Sequence, residues 1–394
     1  YTPDSIYLCQ TLLQVYLDPA SDSVLPAAGE IWLWPGKLYP IRNSGNPGSP
    51  DFEAIMHRKH CWYRFYPDSS SELPPGAGKI LASGVLSVPD HIRHLISSKW
   101  QGREEDVALL RAVCLGDRQA LTQEMRQAYG AAGGMHLLAV SGLHVGLIWW
   151  VLQSLTRWMV RKERTEVYRT LAVVGTLWFY ASLTGFSASV CRSVTMFSFF
   201  SLGRMLGQRT QLLNAIFVSA LILLAIRPSW LREAGFQLSY AAMLGIVAFY
   251  PIIRRLFKPK YRLLRWVWEA AAVSLAAQLL TAPLVIYYFH QLPLFSVVTS
   301  ILAVPMLSLL IALFTCSVPL MAAGLLENTI NVLLMALASL MNHTMEAVAG
   351  LPGALLEEIS LSQESMILLM LFLGLLMLAL QGRSCIPNYL TCVV

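Results

Sequence analysis

The chain has 394 residues, 56% of them hydrophobic and 13% charged, with a formal net charge of +6. An ordinary soluble domain is about half apolar and about a quarter charged, so the proportions exclude a typical soluble enzyme and point to a membrane protein. The positive excess fits either an anionic partner or basic cytoplasmic loops, and its distribution along the chain favours loops. No basic segment followed by an apolar core succeeds Tyr1, so no signal peptide is expected. A start on Tyr1 reads as a piece of a longer protein. The seven cysteines show no CxxC or His/Cys spacing, which argues against a zinc site; no metal and no other cofactor is expected.

Residues 1–100 alternate short β-rich runs with turn signals. IYLCQTLLQVYL, EIWLWPGKLYPI, CWYRFYP and KILASGVLSV read as strands, and NSGNPGSPD and ELPPGAG as loops. That spacing suggests a small barrel or sandwich. Cys9 and Cys61 both lie here. Facing an oxidising compartment they would be a disulfide candidate; two unlinked core thiols explain them equally well.

Residues 101–132 change period. Val107, Leu110, Val113 and Cys114 recur at helical spacing, Gly116 breaks the run, and Leu121, Met125 and Tyr129 resume it. The reading is an amphipathic helix pair whose polar face, dense in both signs, lies on a surface and does not span.

From Met135 apolar segments follow closely, at about 134–153, 167–183, 188–206, 211–226, 235–251, 268–288, 296–322 and 365–381. Each approaches the roughly 20 residues needed to cross a bilayer core. The segment 328–350 is amphipathic and either crosses or lies in the interface, which makes eight or nine membrane segments. Arg157, Arg161, Lys162, Arg164 and Arg169 follow the first segment, and alternate connections carry Arg204 and Arg209, then Arg254 through Arg265. The intervening connections hold few basic residues, so the positive-inside rule puts the first set in the cytoplasm and the N-terminal part outside.

The first membrane segment is anomalously polar. GGMHLLAVSGLHVG carries His136, Ser141 and His144 among four glycines, where a plain span would carry leucine and valine. Gly142 and Gly146 form a G-x-x-x-G pair, with Ala139 on nearly the same face, which lets another helix approach closely. A hydrolase reading would make Ser141 a nucleophile and His144 its base, yet no elbow motif and no orienting carboxylate accompany them. The open alternatives are tight packing and the polar lining of a conduit. Arg192, near the outer end of its segment, either snorkels to the headgroups or presents a positive charge inward. Gln237 and Gln278 are amides at membrane depth expected to bridge helices, and Pro283 and Pro305 interrupt their spans. Tyr287, Tyr288, Phe289 and His290 read as an interfacial aromatic belt. His343 and Glu346 share a helical face but lack a third metal ligand, so a solvated polar face is the preferred reading.

HLLAVSGLHVG (136–146), with LGDRQALTQEMRQAY (115–129) before it, resembles the ComEC family of bacterial competence proteins. The likeness continues through LTGFSASVCRSVTM, RPSWLREAGFQLSYAAMLGI and AAQLLTAPLVIYYFHQLPLFSVVTSILAVPML, and NSGNPGSPDFEAIMHRKH (43–60) is similar to the family's segment of NPGGFD type. The resemblance covers roughly residues 40 to 320. It implies a mainly α-helical polytopic protein of the bacterial inner membrane with a small N-terminal β-rich, OB-like domain. Residues 1–100 would be that extracytoplasmic domain, N-terminally incomplete, 101–132 a helical connector, and 133–385 the competence membrane domain. It implies further a channel, not an enzyme, that carries single-stranded DNA inward during natural transformation. Its partners would be the lipid bilayer, other competence proteins and a separate nuclease, since the His-rich metallo-β-lactamase-like signature of many members is missing before Val394. OB-like folds hold single strands by basic grooves and stacked aromatics, which makes Trp32, Trp34, Trp62, Tyr63 and Arg64 candidate DNA contacts against the alternative of core packing. The missing nuclease domain and the modest basicity of the outer domain leave a second reading, a transporter or scaffold not engaged in DNA uptake.

Overall fold

In a computed structural model of the protein the described residues are 12–15, 36–42, 53, 56, 61–67, 88–157, 163–208, 211–322, 324, 327–357 and 359–383. They fall into two units, Tyr1–His91 and Ile92–Val394.

In the first unit, β1 (Leu12–Val15), β2 (Gly36–Pro40) and β3 (Cys61–Pro67) form one sheet in the order β1-β3-β2. The central strand is the aromatic-rich CWYRFYP, a composition that suits a pleated surface. It runs parallel to β1 and antiparallel to β2, so that Arg64 lies between Gln14 and Tyr39 in the ladder. Three of the four expected strand runs therefore contain strand. The fourth, apart from Val88, lies outside the described residues, as do Trp32, Trp34 and the Cys9–Cys61 pairing.

The helices run α1 (Val88–Ser97), α2 (Glu104–Leu115), α3 (Gln123–Ala131), α4 (Met135–Leu138), α5 (Gly142–Thr156), α6 (Glu163–Leu183), α7 (Ala188–Met205), α8 (Leu212–Ile226), α9 (Ala234–Leu256), α10 (Arg262–Phe289), α11 (Ser296–Ala322), α12 (Glu327–Ala349) and α13 (Gln363–Arg383). Among the described residues four helices are long and apolar enough to cross a membrane: α9, α10, α11 over Ser296–Leu320, and α12; Leu212–Ile226 and Gln363–Met377 are shorter apolar helices. Thus α12, which the sequence leaves between crossing and lying flat, has the length and composition of a span.

The pair α2 and α3 forms as its period predicts. Three acidic residues, Glu104, Glu105 and Asp106, occupy the first turn of α2, where the helix dipole favours negative charge. The helix stops at Gly116, whose φ of 76° is a left-handed value suited to glycine, with Gly116 N–H donating to Ala112 O and Asp117 N–H to Arg111 O. Thr122 caps α3 by accepting from Met125 N–H at 3.2 Å. The expected surface position does not hold for α2, where Leu109, Leu110, Val113 and Cys114 are all fully buried. Its acids are confined to the first turn, and Arg111, inside the helix, reaches Asp117 beyond the helix end at 2.7 Å. The apolar middle is then free to pack. It lies beside α12, and the contacts climb in step: Lys99 with Glu327, Gln101 with Asn331, Gly102 against Met335, Asp106 with Asn342.

One large core joins residues of α2 to α7 with α11 and α12. Three smaller clusters involve the helices between: Cys191 with Leu223, Trp230 and Phe236; Met196 with Ala215 and Ile216; Ala248 and Phe249 with Ala276. The helix α7 belongs to both sides, since Val190 and Val194 enter the large core while Cys191 and Met196 enter the small ones. Gly245 of α9 lies against the α10 backbone, where an added Cβ would lie 2.5 Å from Ala276 O. The loops after α10 and α12 are tied by a two-residue antiparallel ladder, Leu292 opposite Leu356 and Pro293 opposite Leu355.

Candidate functional site

The polar stretch expected as one span, 134–153, is broken. Gly133 has a φ of 78°, and a Cβ there would lie 2.6 Å from Ser296 Cβ, so both conformation and space call for glycine. The short α4 follows. His136 is exposed on it and its Nδ1 lies 3.1 Å from Gly133 O. Ala139 is extended, and Ser141, also extended, caps the start of α5. Ala139 therefore does not share a helical face with Gly142.

Ser141 and His144 form a reciprocal cap. Leu143 N–H donates to Ser141 Oγ at 3.3 Å, and Ser141 N–H donates to His144 Nδ1 at 3.2 Å, with Ser141 Oγ 3.0 Å from the same nitrogen. A backbone N–H only donates, so Nδ1 accepts and the neutral ring carries its proton on Nε2. His144 is fully buried, and its Nε2 has no hydrogen-bond partner among the described residues. These contacts make Ser141 the cap of α5, and no carboxylate bonds to His144 among the described residues.

The two glycines of the G-x-x-x-G pair face α7. An added Cβ on Gly142 would lie 3.0 Å from Ser193 Oγ and 3.1 Å from Arg192 Nη2; one on Gly146 would lie 3.1 Å from the Phe197 ring. Small residues thus let α5 settle on Arg192, Ser193 and Phe197.

Arg192 does not snorkel: it is only 5% exposed. Its Nη1 donates to Ser239 O of α9 at 2.6 Å, its Nη2 reaches Ser193 Oγ at 3.4 Å, and the guanidinium carbon lies 5.5 Å from the centre of the Tyr240 ring. Its Nε has no partner and no carboxylate pairs with it among the described residues. Its own helix and α8 offer no carboxylate, since no acidic residue occurs between Glu166 and Glu233. Burying a charge costs several kcal/mol, while a charge-assisted hydrogen bond and a desolvated cation–π contact return about 2 kcal/mol each. The balance is near zero, so Arg192 does little to hold the fold. It sits where α7 divides the large core from the small ones, with the N-terminus of α5 on one side and α9 on the other.

The amides are more local. Gln237 donates to Leu231 O at 2.8 Å and accepts from Tyr288 hydroxyl at 2.9 Å, joining α9 to α10 as expected. Gln278 donates to Ser274 Oγ at 3.1 Å on its own helix, and only Ser274 reaches across, to Ser300 Oγ at 3.3 Å. In the first unit, Trp62 and Tyr63 are 43% and 44% exposed and Arg64 is half-buried, so the two aromatics are surface groups and not core. His343 and Glu346 pair at 3.3 Å on an exposed face, and no metal-holding cluster occurs among the described residues.

A second polar site escaped the sequence reading. Tyr129 hydroxyl donates to Asn342 Oδ1 at 2.9 Å, and Asn342 Nδ2 donates to Asp106 Oδ1 at 2.9 Å. All three are buried, at 1%, 5% and 3% exposure. Burial, then the carboxylates of Glu346 and Asp106, push the ionisation of Tyr129 upward, so its hydroxyl remains a donor. The chain of bonds pins α2 and α3 to α12. The partners stand 213 and 236 residues apart, so no local pattern announces them.

The family described as "Competence protein" matches residues 113–383. The chain is 30% identical over 292 residues to "ComE operon protein 3" of Bacillus subtilis (strain 168), covering 74% of this chain and 35% of that protein. It is 28% identical over 232 residues to "Competence protein ComA" of Neisseria gonorrhoeae, covering 55% and 32%. With "Recombination protein 2" of Haemophilus influenzae it shares 26% identity over 216 residues, covering 52% and 27%. The chain thus spans about a third of these relatives. No solved structure matches it.

Proposed function

The chain belongs to the competence-protein family, and on that premise we propose that its helical unit carries single-stranded DNA across the bacterial cytoplasmic membrane. Arg192 carries the reading: a buried arginine of α7 with no carboxylate partner among the described residues, lodged between α5 and α9. A polyanion crossing a low-dielectric region needs fixed positive charge and donors that ignore base identity. Arg192 offers both, and the buried Nε2–H of His144 adds a neutral donor on the neighbouring helix. The relatives named for competence and recombination support a DNA context.

Around that path the reading is a multi-pass inner-membrane channel, not an enzyme, in which the shorter helices complete eight or nine membrane segments. The connections 184–188, 227–234 and 290–294, which hold few basic residues, would face outward, and by the same rule the N-terminal unit would lie outside. That unit would be an OB-like domain that stacks bases on Trp62 and Tyr63 beside Arg64. Other competence proteins and a separate nuclease would complete the process.

The test is uptake of labelled DNA by a transformable host that carries this chain in place of its own. Arg192→Met is expected to lower uptake at least about tenfold, a loss of about 1.4 kcal/mol in the limiting step, while protein in the membrane stays within about twofold. Arg192→Lys should retain part of the uptake, because charge survives and the planar fork does not. Unchanged uptake with Arg192→Met sinks the assignment, and equal losses of uptake and protein would make Arg192 structural.

A further inference from the structure

The turn between α9 and α10 is a basic, apolar-edged hairpin that lies outside the set of residues assigned to the proposed DNA path. It carries Arg254, Arg255, Lys258, Lys260, Arg262 and Arg265, while Glu269 is the sole acidic residue between Glu233 and Glu327. That one carboxylate is taken by Arg254 at 2.7 Å. Lys258, Lys260, Arg262 and Arg265 have no ion pair among the described residues.

The hairpin is braced rather than loose. Trp268 Nε1–H donates to Arg254 O at 3.2 Å, and Phe257 stands edge-on to Trp268 with ring centres 5.6 Å apart. On this frame Leu256 and Leu263 are each 75% exposed and Tyr261 is 74% exposed. A nucleic-acid surface standing in water would leave such leucines in contact with solvent. A membrane interface would not: apolar side chains enter the acyl boundary while lysines and arginines reach the phosphates. The two flanking helices are both span-length and apolar, so the hairpin joining them lies at their common end, at headgroup level. Basic clusters next to a span attract anionic lipid.

We propose that the hairpin 254–265 is a binding site for anionic phospholipid headgroups, with Lys258, Lys260 and Arg262 supplying the selectivity for a charged phosphodiester over a zwitterionic one. The inference is independent of what crosses the bundle.

The full chain, purified in detergent, is titrated with short-chain phosphatidylglycerol or phosphatidylcholine, and bound lipid is counted by native mass spectrometry. Phosphatidylglycerol should bind about tenfold more tightly, and about 0.5 M salt should remove the difference. The variant combining Lys258→Gln, Lys260→Gln and Arg262→Gln should lose the preference, while Lys258→Arg with Lys260→Arg keeps it. Should the triple variant aggregate, the salt arm on the unaltered chain decides. Equal affinity for the two lipids overturns the proposal. So does displacement of phosphatidylglycerol by a short thymidine oligonucleotide whose own binding is lost in the triple variant, which would make the hairpin a nucleic-acid surface.

Discussion

Asp106 and Arg192 are buried charges of opposite sign, 3% and 5% exposed, held in opposite ways. Asp106 ends a chain of hydrogen bonds through Asn342 to Tyr129, so three separate elements are locked by directional contacts. Arg192 rests on a carbonyl, a distant hydroxyl and a ring, and its Nε is unpartnered among the described residues. A satisfied polar network in a low dielectric fixes geometry, whereas an under-satisfied one remains available to a ligand. The contrast separates the two sites: the acid holds α2 and α3 to α12, while the arginine keeps a donor unpartnered among the described residues, which is what the proposed role in passage would use.

Breaking the acid's network should have the largest effect on stability. Asn342→Leu strands the Tyr129 hydroxyl and a buried carboxylate together, and should cost about 3–5 kcal/mol, read as a fall in the thermal midpoint of the detergent-purified chain. Tyr129→Phe leaves only Asn342 Oδ1 without its donor and should cost about 1–2 kcal/mol in the same melt. Ser141→Ala removes the cap of α5 and should cost about 1 kcal/mol, with Ser141→Asn recovering most of it. A failed recovery would mean that Ser141 serves something other than the cap. Arg192→Met should change the midpoint least, by about 1 kcal/mol in either direction, because an apolar side chain of similar length replaces a charge near break-even. A drop as large as that of Asn342→Leu would erase the contrast between the two sites.

What the sequence made legible follows from what is local. The G-x-x-x-G seam was readable because spacing alone puts Gly142 and Gly146 on one face, and that face does meet Ser193 and Phe197. The break before α5 was not, because the polar residues of Gly133 to Ser141 fit packing or lining of an unbroken span as well as a break; the cap depends on backbone angles at Ala139 and Ser141 that composition does not encode. Arg192 was left between snorkelling and facing inward; the absence of any acidic residue from 167 to 232 bore on what could pair with it, but not on which way it turned. The burial of α2 was not legible because its three acids and Arg111 read as a polar face, whereas the acids are confined to the first turn and Arg111 turns to Asp117 beyond the helix end. The Asp106–Asn342–Tyr129 chain was invisible because its members meet only in the folded bundle.

The contact of Gly245 with Ala276 has a mechanical consequence. Where a Cβ would fall 2.5 Å from a carbonyl oxygen, two backbones touch with no side chain between them to flex, so α9 and α10 travel as one plank. Any widening of the bundle would then have to fall elsewhere, as at the seam where Gly142 meets the ends of the Ser193 and Arg192 side chains rather than backbone.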